Sequence, residues 1–235
     1  MAESCLLYYI TDRTAFALDE PTRRRRLLEK IAEAASAGVD YIQLRERDLP
    51  TRDLESLARE SVNAIREVKR INADHSRPAP ALFINSRTDV ALAVSADGVH
   101  LRANDVSPQE VKKICERCGA GTPARELSPR PLLICASCHS PAEVNHAAAN
   151  GATFAVFAPV FEKKDALRTP PAGLAQLREA CRAKIPVLAL GGITLSNAKS
   201  CLEAGAAGIA AIRLFQDNEI EKVVKQMRGM QVRST

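Results

Sequence analysis

The sequence predicts an α/β fold, namely a single (β/α)₈ TIM barrel. Eight short apolar runs typical of buried strands recur along the 235 residues, and a helical pattern follows each of them. This alternation requires parallel strands joined by crossover helices, and eight such units in this length favour a closed barrel. An open doubly wound sheet is the alternative fold. No linker-like composition divides the chain, so we predict one domain over residues 1–235.

The first half of the chain supplies four of the predicted strands. They cover Leu6–Ile10, Tyr41–Leu44, Ala81–Ile84 and Gly98–Leu101. Apolar residues at helical spacing, such as Leu27, Ile31 and Ala35, predict helices between them. Gly38 stands where the first helix should end, because glycine readily adopts the left-handed conformation of a helix C-terminus.

The second half supplies the other four strands, predicted at Leu132–Ala136, Phe154–Val160, Val187–Leu190 and Gly208–Ile212. Between the last two, we expect a Gly191-Gly192 turn and a helix capped by Thr194 or Ser196. Gly205 is expected to end this helix at positive φ. Glycines let an anion approach the backbone, and paired late strand ends form the phosphate site of many barrels. The simpler alternative is that both glycines only turn the chain.

Composition excludes several classes of protein. The net charge of +5 is modest, Trp is absent and aromatics make up 4%, so we expect no nucleic-acid partner. The arginines at positions 23–26 are interpreted as a solvated helix face. No apolar run approaches the roughly 20 residues of a membrane span. Seven cysteines and an N-terminus unlike a secretory signal predict reduced thiols and a cytoplasmic location. A homo-oligomer is left open.

Polar side chains follow almost every predicted strand. In a (β/α)₈ barrel the carboxyl ends of the strands meet at one mouth, which carries the active site. Strand alternation predicts that Gln43, Arg45 and Arg47 point inward, where apolar residues would be expected. So many polar groups at one mouth indicate a polyanionic ligand. The other candidates from this rule are Asn85, Ser86, His100, Asp105, Ser137, His139, Lys163, Lys164, Gly191, Gly192 and Arg213.

Seven segments together carry a family resemblance: YYITDR, IQLRER, FINSRTDVALAVSADGVHL, SCHS, FAPVF, LALGGIT and AGAAGIAAIR. In this order and spacing the chain resembles the thiamine phosphate synthase and thiazole tautomerase (TenI) family over nearly its whole length. A synthase of this type is a transferase of thiamine biosynthesis. It joins 4-amino-5-hydroxymethyl-2-methylpyrimidine diphosphate to thiazole phosphate and releases pyrophosphate. The resemblance therefore implies small phosphorylated pyrimidine and thiazole substrates as partners and Mg²⁺ as cofactor.

The resemblance also implies roles for individual residues. Gln43, Arg45 and Arg47 would bind the pyrimidine diphosphate, with Asn85 and Ser137 beside the same substrate. Asp105 matches a magnesium-binding aspartate, and Ser86 stands where a second metal-binding aspartate is usual. The thiazole phosphate pocket is implied at Gly192, Ile212 and Arg213, and Gly191 of the same glycine turn is a further substrate-binding candidate. Lys163 and Lys164 are expected to close over phosphate as part of a lid. The predicted catalytic residues are Arg45, Ser137 and His139.

Several departures favour the tautomerase branch as the alternative. Arg47 replaces a lysine, Ser86 replaces a carboxylate, and Arg213 replaces a small residue. In the tautomerase branch the histidine of the S-x-H-S segment, here His139, is an acid/base on a thiazole carboxylate phosphate. His139 could equally orient its own loop. A third hypothesis is a non-catalytic thiamine-precursor binder, because a family fold does not guarantee its chemistry.

Two cysteine pairs, Cys115/Cys118 and Cys135/Cys138, have a spacing that fits a zinc ribbon. The predicted barrel argues against zinc. The helix carrying the first pair ends at the bottom of the barrel, whereas Cys138 emerges at the top. His100 is interpreted as a structural residue hydrogen-bonded beneath the active site.

Overall fold

The computed structural model describes residues 5–17, 19–71, 78–119, 131–162 and 170–230. Eight parallel strands form a closed barrel in chain order, and the last strand pairs with the first. The predicted (β/α)₈ fold is therefore confirmed. The strands are β1 Leu6–Ile10, β2 Tyr41–Leu44, β3 Ala81–Asn85, β4 Gly98–Leu101, β5 Leu133–Cys138, β6 Phe154–Phe157, β7 Val187–Ala189 and β8 Gly208–Ala211.

Helices follow the strands as the alternation predicts. They are α1 Glu20–Ala37, α2 Thr51–Ile71, α3 Thr88–Ala93, α4 Pro108–Gly119, α5 Pro141–Ala149, α6 Gly173–Ala180, α7 Ala198–Glu203, α8 Arg213–Gln216 and α9 Ile220–Arg228. Gly38 and Gly205 adopt φ of 86° and 101° just beyond α1 and α7, which confirms both predicted helix ends. Among the described residues, no helix is long and apolar enough to cross a membrane.

The barrel interior is filled with side chains. Tyr8, Phe83 and Phe154 are fully or almost fully buried, and their ring centroids lie 5.4 to 5.8 Å apart. Gly98 makes room for this packing, because a Cβ on it would lie 2.4 Å from the Phe83 ring. Because the interior is packed, we expect a ligand that meets several strands to bind at the polar upper layer of the barrel.

Alternate residues of each strand face outward and pack on the helices in the larger apolar cluster. Leu7, Ile42 and Ile84 are examples, and each is completely buried. On the outside, the arginines at positions 23–26 lie on α1 and make contacts within the chain. Arg24 pairs with Glu60 of α2 at 2.6 Å. This agrees with their interpretation as a helix face.

The predicted cap of α7 is wrong. The helix begins only at Ala198, and the residue before it is Asn197 rather than Thr194 or Ser196. The Asn197 side chain instead bridges the turn, since its Oδ1 accepts from the Thr194 N–H at 2.8 Å and its Nδ2 donates to the Gly192 carbonyl at 3.0 Å. A short polar side chain that bonds nearby backbone competes with helix formation, which delays the start of α7.

Several strand ends differ from the prediction by a few residues. β5 runs on to Cys138, so Ser137 lies inside the strand, whereas β6 already ends at Phe157. The structure agrees with the argument against zinc, because the barrel wall separates Cys135 from Cys115 and Cys138. Cys135 belongs to the interior cluster and Cys115 to the outer one, and the Cys118 side chain lies outside the described residues.

Candidate active site

Two amides occupy the top of β2 and β3, where the barrel core meets the mouth. Gln43 is 1% exposed, and its Nε2 donates to Asn85 Oδ1 at 2.9 Å. The Asn85 amide donates in turn to Ser86 Oγ at 3.2 Å. The Gln43 Oε1 atom is buried and has no hydrogen-bond partner within the described residues. Because an unpaired buried acceptor is costly, this oxygen suits a ligand that donates a hydrogen bond.

Arg45 lies half-buried on the turn that follows β2. Its backbone N–H donates to Thr11 Oγ1 at 3.0 Å, which ties the turn to the end of β1. In the described part of the chain, its guanidinium makes no hydrogen bond or ion pair. Burial, and secondarily the charge of Arg47, lower the pKa of Arg45. A buried cation without a counterion is unfavourable, so this position attracts an anion.

Arg47 lies beyond the end of its strand, so its inward orientation stays a prediction. β2 ends at Leu44, so strand alternation does not continue to this residue, and Arg47 lies exposed on the turn. Its positive charge lies close enough to Arg45 to lower the pKa of that residue.

Glu46 is a structural residue of the site that sequence reasoning missed. It is 4% exposed and accepts hydrogen bonds from the Thr11 hydroxyl at 2.6 Å and from the Arg13 backbone and guanidinium. Arg13 also pairs with Asp48 at 2.7 Å and with Glu20. This network holds the turn that carries Arg45. The available signal was a carboxylate directly after a buried strand, where burial demands a hydrogen-bonding or charged partner.

Asp105 follows β4 and lies beside Ser86. Its carboxylate accepts from the Arg102 backbone N–H at 2.8 Å and from the Arg102 guanidinium at 3.0 Å. Burial raises the pKa of Asp105, but hydrogen bonds from Arg102 and Ser86 outweigh it, so the net pKa lies below the ordinary value. The group is therefore a carboxylate at neutral pH.

The donor set fits Mg²⁺ that arrives with a phosphorylated ligand. Mg²⁺ commonly takes one or two carboxylates and completes its coordination with phosphate oxygens and water. Asp105 supplies one carboxylate and Ser86 a hydroxyl. Among the described residues, no group of three or more His, Cys, Asp or Glu side chains is placed to hold a metal ion. A metal here would thus depend on oxygens from the ligand.

His100 lies inside the barrel, 2% exposed, between two hydroxyls. Its Nδ1 is 3.0 Å from the Tyr8 hydroxyl, and its Nε2 is 2.7 Å from Ser137 Oγ. Burial, with a smaller effect of Arg45, lowers the pKa of His100 to about 3. The imidazole is therefore neutral under physiological conditions. This geometry matches the interpretation of His100 as a buried residue beneath the site.

His139 is exposed just beyond β5. Its Nδ1 donates to the Ala158 carbonyl at 2.6 Å, and its backbone N–H donates to Glu143 at 2.8 Å. The side chain therefore joins the ends of β5 and β6, which is the loop-orienting role that the sequence left open. Because Nδ1 is the donor, a neutral His139 keeps a lone pair on Nε2.

The turn after β7 contains two glycines at positive φ, 101° for Gly191 and 63° for Gly192. A Cβ on Gly191 would lie 2.8 Å from Pro159, and one on Gly192 would lie 2.5 Å from the Glu162 carbonyl oxygen. The space left by the missing side chains is thus occupied by the segment after β6. The backbone N–H groups of Gly191, Gly192 and Ile193 have no acceptor within the described residues.

Two groups of candidate residues emerge from this geometry. The structure brings Gln43, Arg45, Asn85, Ser86, Asp105 and Ser137 together around the ends of β2 to β5. Gly191 and Gly192 lie after β7, and Ile212 and Arg213 follow the neighbouring strand β8. Lys163 and Lys164 lie outside the described residues.

Comparison with known proteins decides the family. The profile of the family described as thiamine monophosphate synthase matches residues 7–215. The chain belongs to this family. It is 41% identical over 211 residues to the thiamine-phosphate synthase of Methanoculleus marisnigri, covering 88% of this chain and 85% of that protein. It is also 33% identical to the thiamine-phosphate synthase of Syntrophomonas wolfei, with 94% of each covered.

A solved structure agrees. The thiamine phosphate pyrophosphorylase from Pyrococcus furiosus superposes with a TM-score of 0.71 at 30% identity, covering 97% of this chain and 96% of that one. The family resemblance inferred from the seven segments is therefore confirmed. As a member of the thiamine monophosphate synthase family, the chain carries both groups of candidate residues within the matched residues 7–215.

Proposed function

We propose that the protein is a thiamine-phosphate synthase that joins 4-amino-5-hydroxymethyl-2-methylpyrimidine diphosphate to thiazole phosphate. The bond from the pyrimidine methylene carbon to the diphosphate oxygen breaks, and that carbon bonds to the thiazole nitrogen. Pyrophosphate leaves with the electron pair. The observation that carries the proposal is the half-buried guanidinium of Arg45, which has no acceptor among the described residues and stands beside the Gln43–Asn85 pair.

Arg45 stabilises the departing diphosphate in this proposal. Charge builds up on the leaving oxygens as the carbon–oxygen bond breaks, so a fixed cation lowers the barrier. Gln43 offers its unpaired Oε1 to a donor on the pyrimidine, because the same side chain is held by Asn85. The Glu46 network keeps the Arg45 turn in place without a rearrangement on binding.

Mg²⁺ would be held by Asp105 and Ser86 together with diphosphate oxygens. The ion supplies charge neutralisation for the leaving group. Asp105 is suited to this role because its hydrogen bonds keep it ionised. Since Arg102 already bonds both carboxylate oxygens, we expect weak metal binding until the diphosphate is present.

The thiazole phosphate is proposed to bind at the turn after β7 and the start of α8. Successive backbone N–H groups without acceptors form a cavity that suits an anion. Gly191, Gly192 and Ile193 provide three such groups. Arg213 adds a cation at the start of α8, and we propose that Lys163 and Lys164 join it when substrate binds.

We also propose that residues 1–235 form one domain that acts in the cytoplasm. Free thiols at the described residues Cys5, Cys135, Cys138, Cys181 and Cys201 support a reducing compartment.

His139 supports a second candidate, the thiazole tautomerase. Its Nδ1 donates to Ala158, which leaves Nε2 able to take a proton from a substrate. A tautomerase would need this base and would need neither a diphosphate nor a metal.

Pyrophosphate release from the two substrates, with and without Mg²⁺, tests the proposal. We expect Mg²⁺-dependent release that Asp105→Ala abolishes and that His139→Ala reduces less than tenfold. His139→Ala serves as the matched control because it removes a polar group at the same mouth. Metal-independent proton exchange on a thiazole carboxylate phosphate, lost in His139→Ala, would replace the synthase by the tautomerase.

A further inference from the structure

Three side chains form a continuous hydrogen-bonded chain from the centre of the barrel to its mouth. Tyr8 is completely buried, and its hydroxyl lies 3.0 Å from His100 Nδ1. His100 Nε2 lies 2.7 Å from Ser137 Oγ, and the Tyr8 and His100 rings stack at a centroid distance of 5.8 Å. Of the three, only Ser137 is partly exposed, at the upper end of β5.

The direction of these hydrogen bonds depends on the tautomer of His100. A neutral imidazole has one N–H donor and one acceptor nitrogen. The His100 ring is buried and its two nitrogens face hydroxyls rather than carboxylates, so the neutral ring with a single N–H is favoured. Two arrangements remain, with the ring proton on Nδ1 or on Nε2.

The first arrangement places the proton on Nδ1, which then donates to Tyr8. The Tyr8 hydroxyl hydrogen would then need another acceptor. Its only hydrogen-bond partner among the described residues is His100. An unpaired donor at a completely buried site is unfavourable by about tenfold or more in population.

The second arrangement satisfies the Tyr8 hydroxyl and both nitrogens of His100. Tyr8 donates its hydroxyl hydrogen to Nδ1, and the proton on Nε2 is donated to Ser137 Oγ. The Ser137 hydroxyl hydrogen is then left to point toward the mouth. The His100 ring cannot take a proton from Ser137 in this state, because the nitrogen that faces it already carries one.

We propose that Tyr8 fixes His100 as the Nε2–H tautomer, so that Ser137 donates a hydrogen bond to the substrate and is not activated as a nucleophile. Tyr8 and His100 are positioning residues, and neither contacts the substrate. The role of Ser137 toward a diphosphate oxygen rests on the proposed function. The assignment of the Nε2–H tautomer to His100 does not depend on the proposed function, because it follows from contacts within the barrel.

A ¹⁵N NMR experiment tests the tautomer directly. The protein contains four histidines, so selective ¹⁵N-histidine labelling gives a simple spectrum, and His100→Gln assigns the His100 signals. We expect Nε2 to carry the proton in the wild type and a mixture of tautomers in Tyr8→Phe. A wild-type protein with the proton on Nδ1, or an unchanged tautomer in Tyr8→Phe, would overturn the proposal.

A double-mutant cycle tests the link to catalysis. We expect Ser137→Ala to lower kcat/KM about tenfold to a hundredfold, the range for a lost donor to a charged oxygen. Tyr8→Phe should lower it about threefold to tenfold in the wild type and have no further effect in Ser137→Ala. Equal effects of Tyr8→Phe in both backgrounds would mean that Tyr8 acts through folding alone, and would overturn the link.

Tyr9→Phe is the matched control. Tyr9 is the next residue of β1, is equally buried and donates its hydroxyl to Gln216 at 3.2 Å on the outer side. Its effect on kcat/KM should be the same with Ser137 or Ala at position 137. If Tyr9→Phe showed the same coupling to Ser137→Ala in kcat/KM as Tyr8→Phe does, the proposed action of Tyr8 through His100 would be contradicted. If no variant or wild type releases pyrophosphate, the proposed function fails, and the NMR result still decides the tautomer.

Discussion

At the scale of single residues, the candidate site depends on polar groups that the fold leaves without partners. Arg45 and the Gln43 Oε1 atom are the clearest cases within the described residues. Asn85 holds the Gln43 amide, and Thr11 holds the backbone of Arg45. The protein thus positions the Gln43 amide and the turn that carries Arg45 before a ligand binds, which reduces the entropy lost on binding.

Arg45→Ala is expected to raise KM for the pyrimidine diphosphate about tenfold to a hundredfold, because a charged hydrogen bond contributes roughly 1.5–3 kcal/mol. The fold should remain, since the variant also removes a poorly compensated buried charge. Steady-state kinetics and thermal unfolding measure the two effects. Arg47→Ala is the control, and its exposed position predicts a smaller change. An unchanged KM in Arg45→Ala would remove this residue from the diphosphate site.

At the scale of elements, the turn between β7 and α7 is shaped by close contact with the segment after β6. Glycine is required there for two reasons, positive φ and lack of space. Gly173, at the start of α6, also has a positive φ, 76°, but an added Cβ there would meet nothing within 4 Å. A substitution at Gly173 therefore measures the effect of φ without the effect of space. The two positions therefore form a matched pair.

Gly192→Ala should destabilise the protein by more than Gly173→Ala. The φ penalty alone is about 1 kcal/mol at either site, and a Cβ at Gly192 adds a 2.5 Å clash with the Glu162 carbonyl oxygen. Urea unfolding measures this difference. We also expect Gly192→Ala to raise KM for thiazole phosphate, with Gly173→Ala close to wild type. Equal stabilities and equal KM values would show that the turn tolerates a side chain.

At the scale of the whole molecule, the barrel interior excludes water from an ionisable group. Burial holds the pKa of His100 at about 3, far below its ordinary value of 6.5. Between pH 6.5 and about pH 3, His100 therefore stays neutral in the folded state but takes up a proton in the unfolded chain. This contribution to stability is complete above pH 6.5 and is lost progressively as the pH falls toward 3.

We predict that the free energy of unfolding of the wild type falls relative to that of His100→Asn on acidification. The slope should be about 1.4 kcal/mol per pH unit below pH 6, because the unfolded wild type binds one extra proton. Above pH 7 the difference should be constant. Urea titrations at pH 7, 6, 5 and 4 provide the measurement. Parallel curves over this range would mean that His100 takes up a proton in the folded state.

The sequence by itself determined the barrel, the order of its elements and most of the residues at its mouth. Strand and helix periodicity depend on local alternation of apolar residues, and the carboxyl ends of parallel strands converge in any such barrel. Gln43, Asn85, Ser137 and Asp105 could therefore be predicted from their positions alone.

Tertiary structure decided the direction and the partners of the side chains. Whether Arg45 or Arg47 is buried depends on where β2 ends, and the role of Glu46 depends on Thr11 and Arg13, more than 30 residues away. The tautomer of His100 likewise depends on Tyr8, which lies 92 residues earlier in the chain. Such pairings are set by distance in space and by loss of water, and neither quantity is encoded in local sequence periodicity.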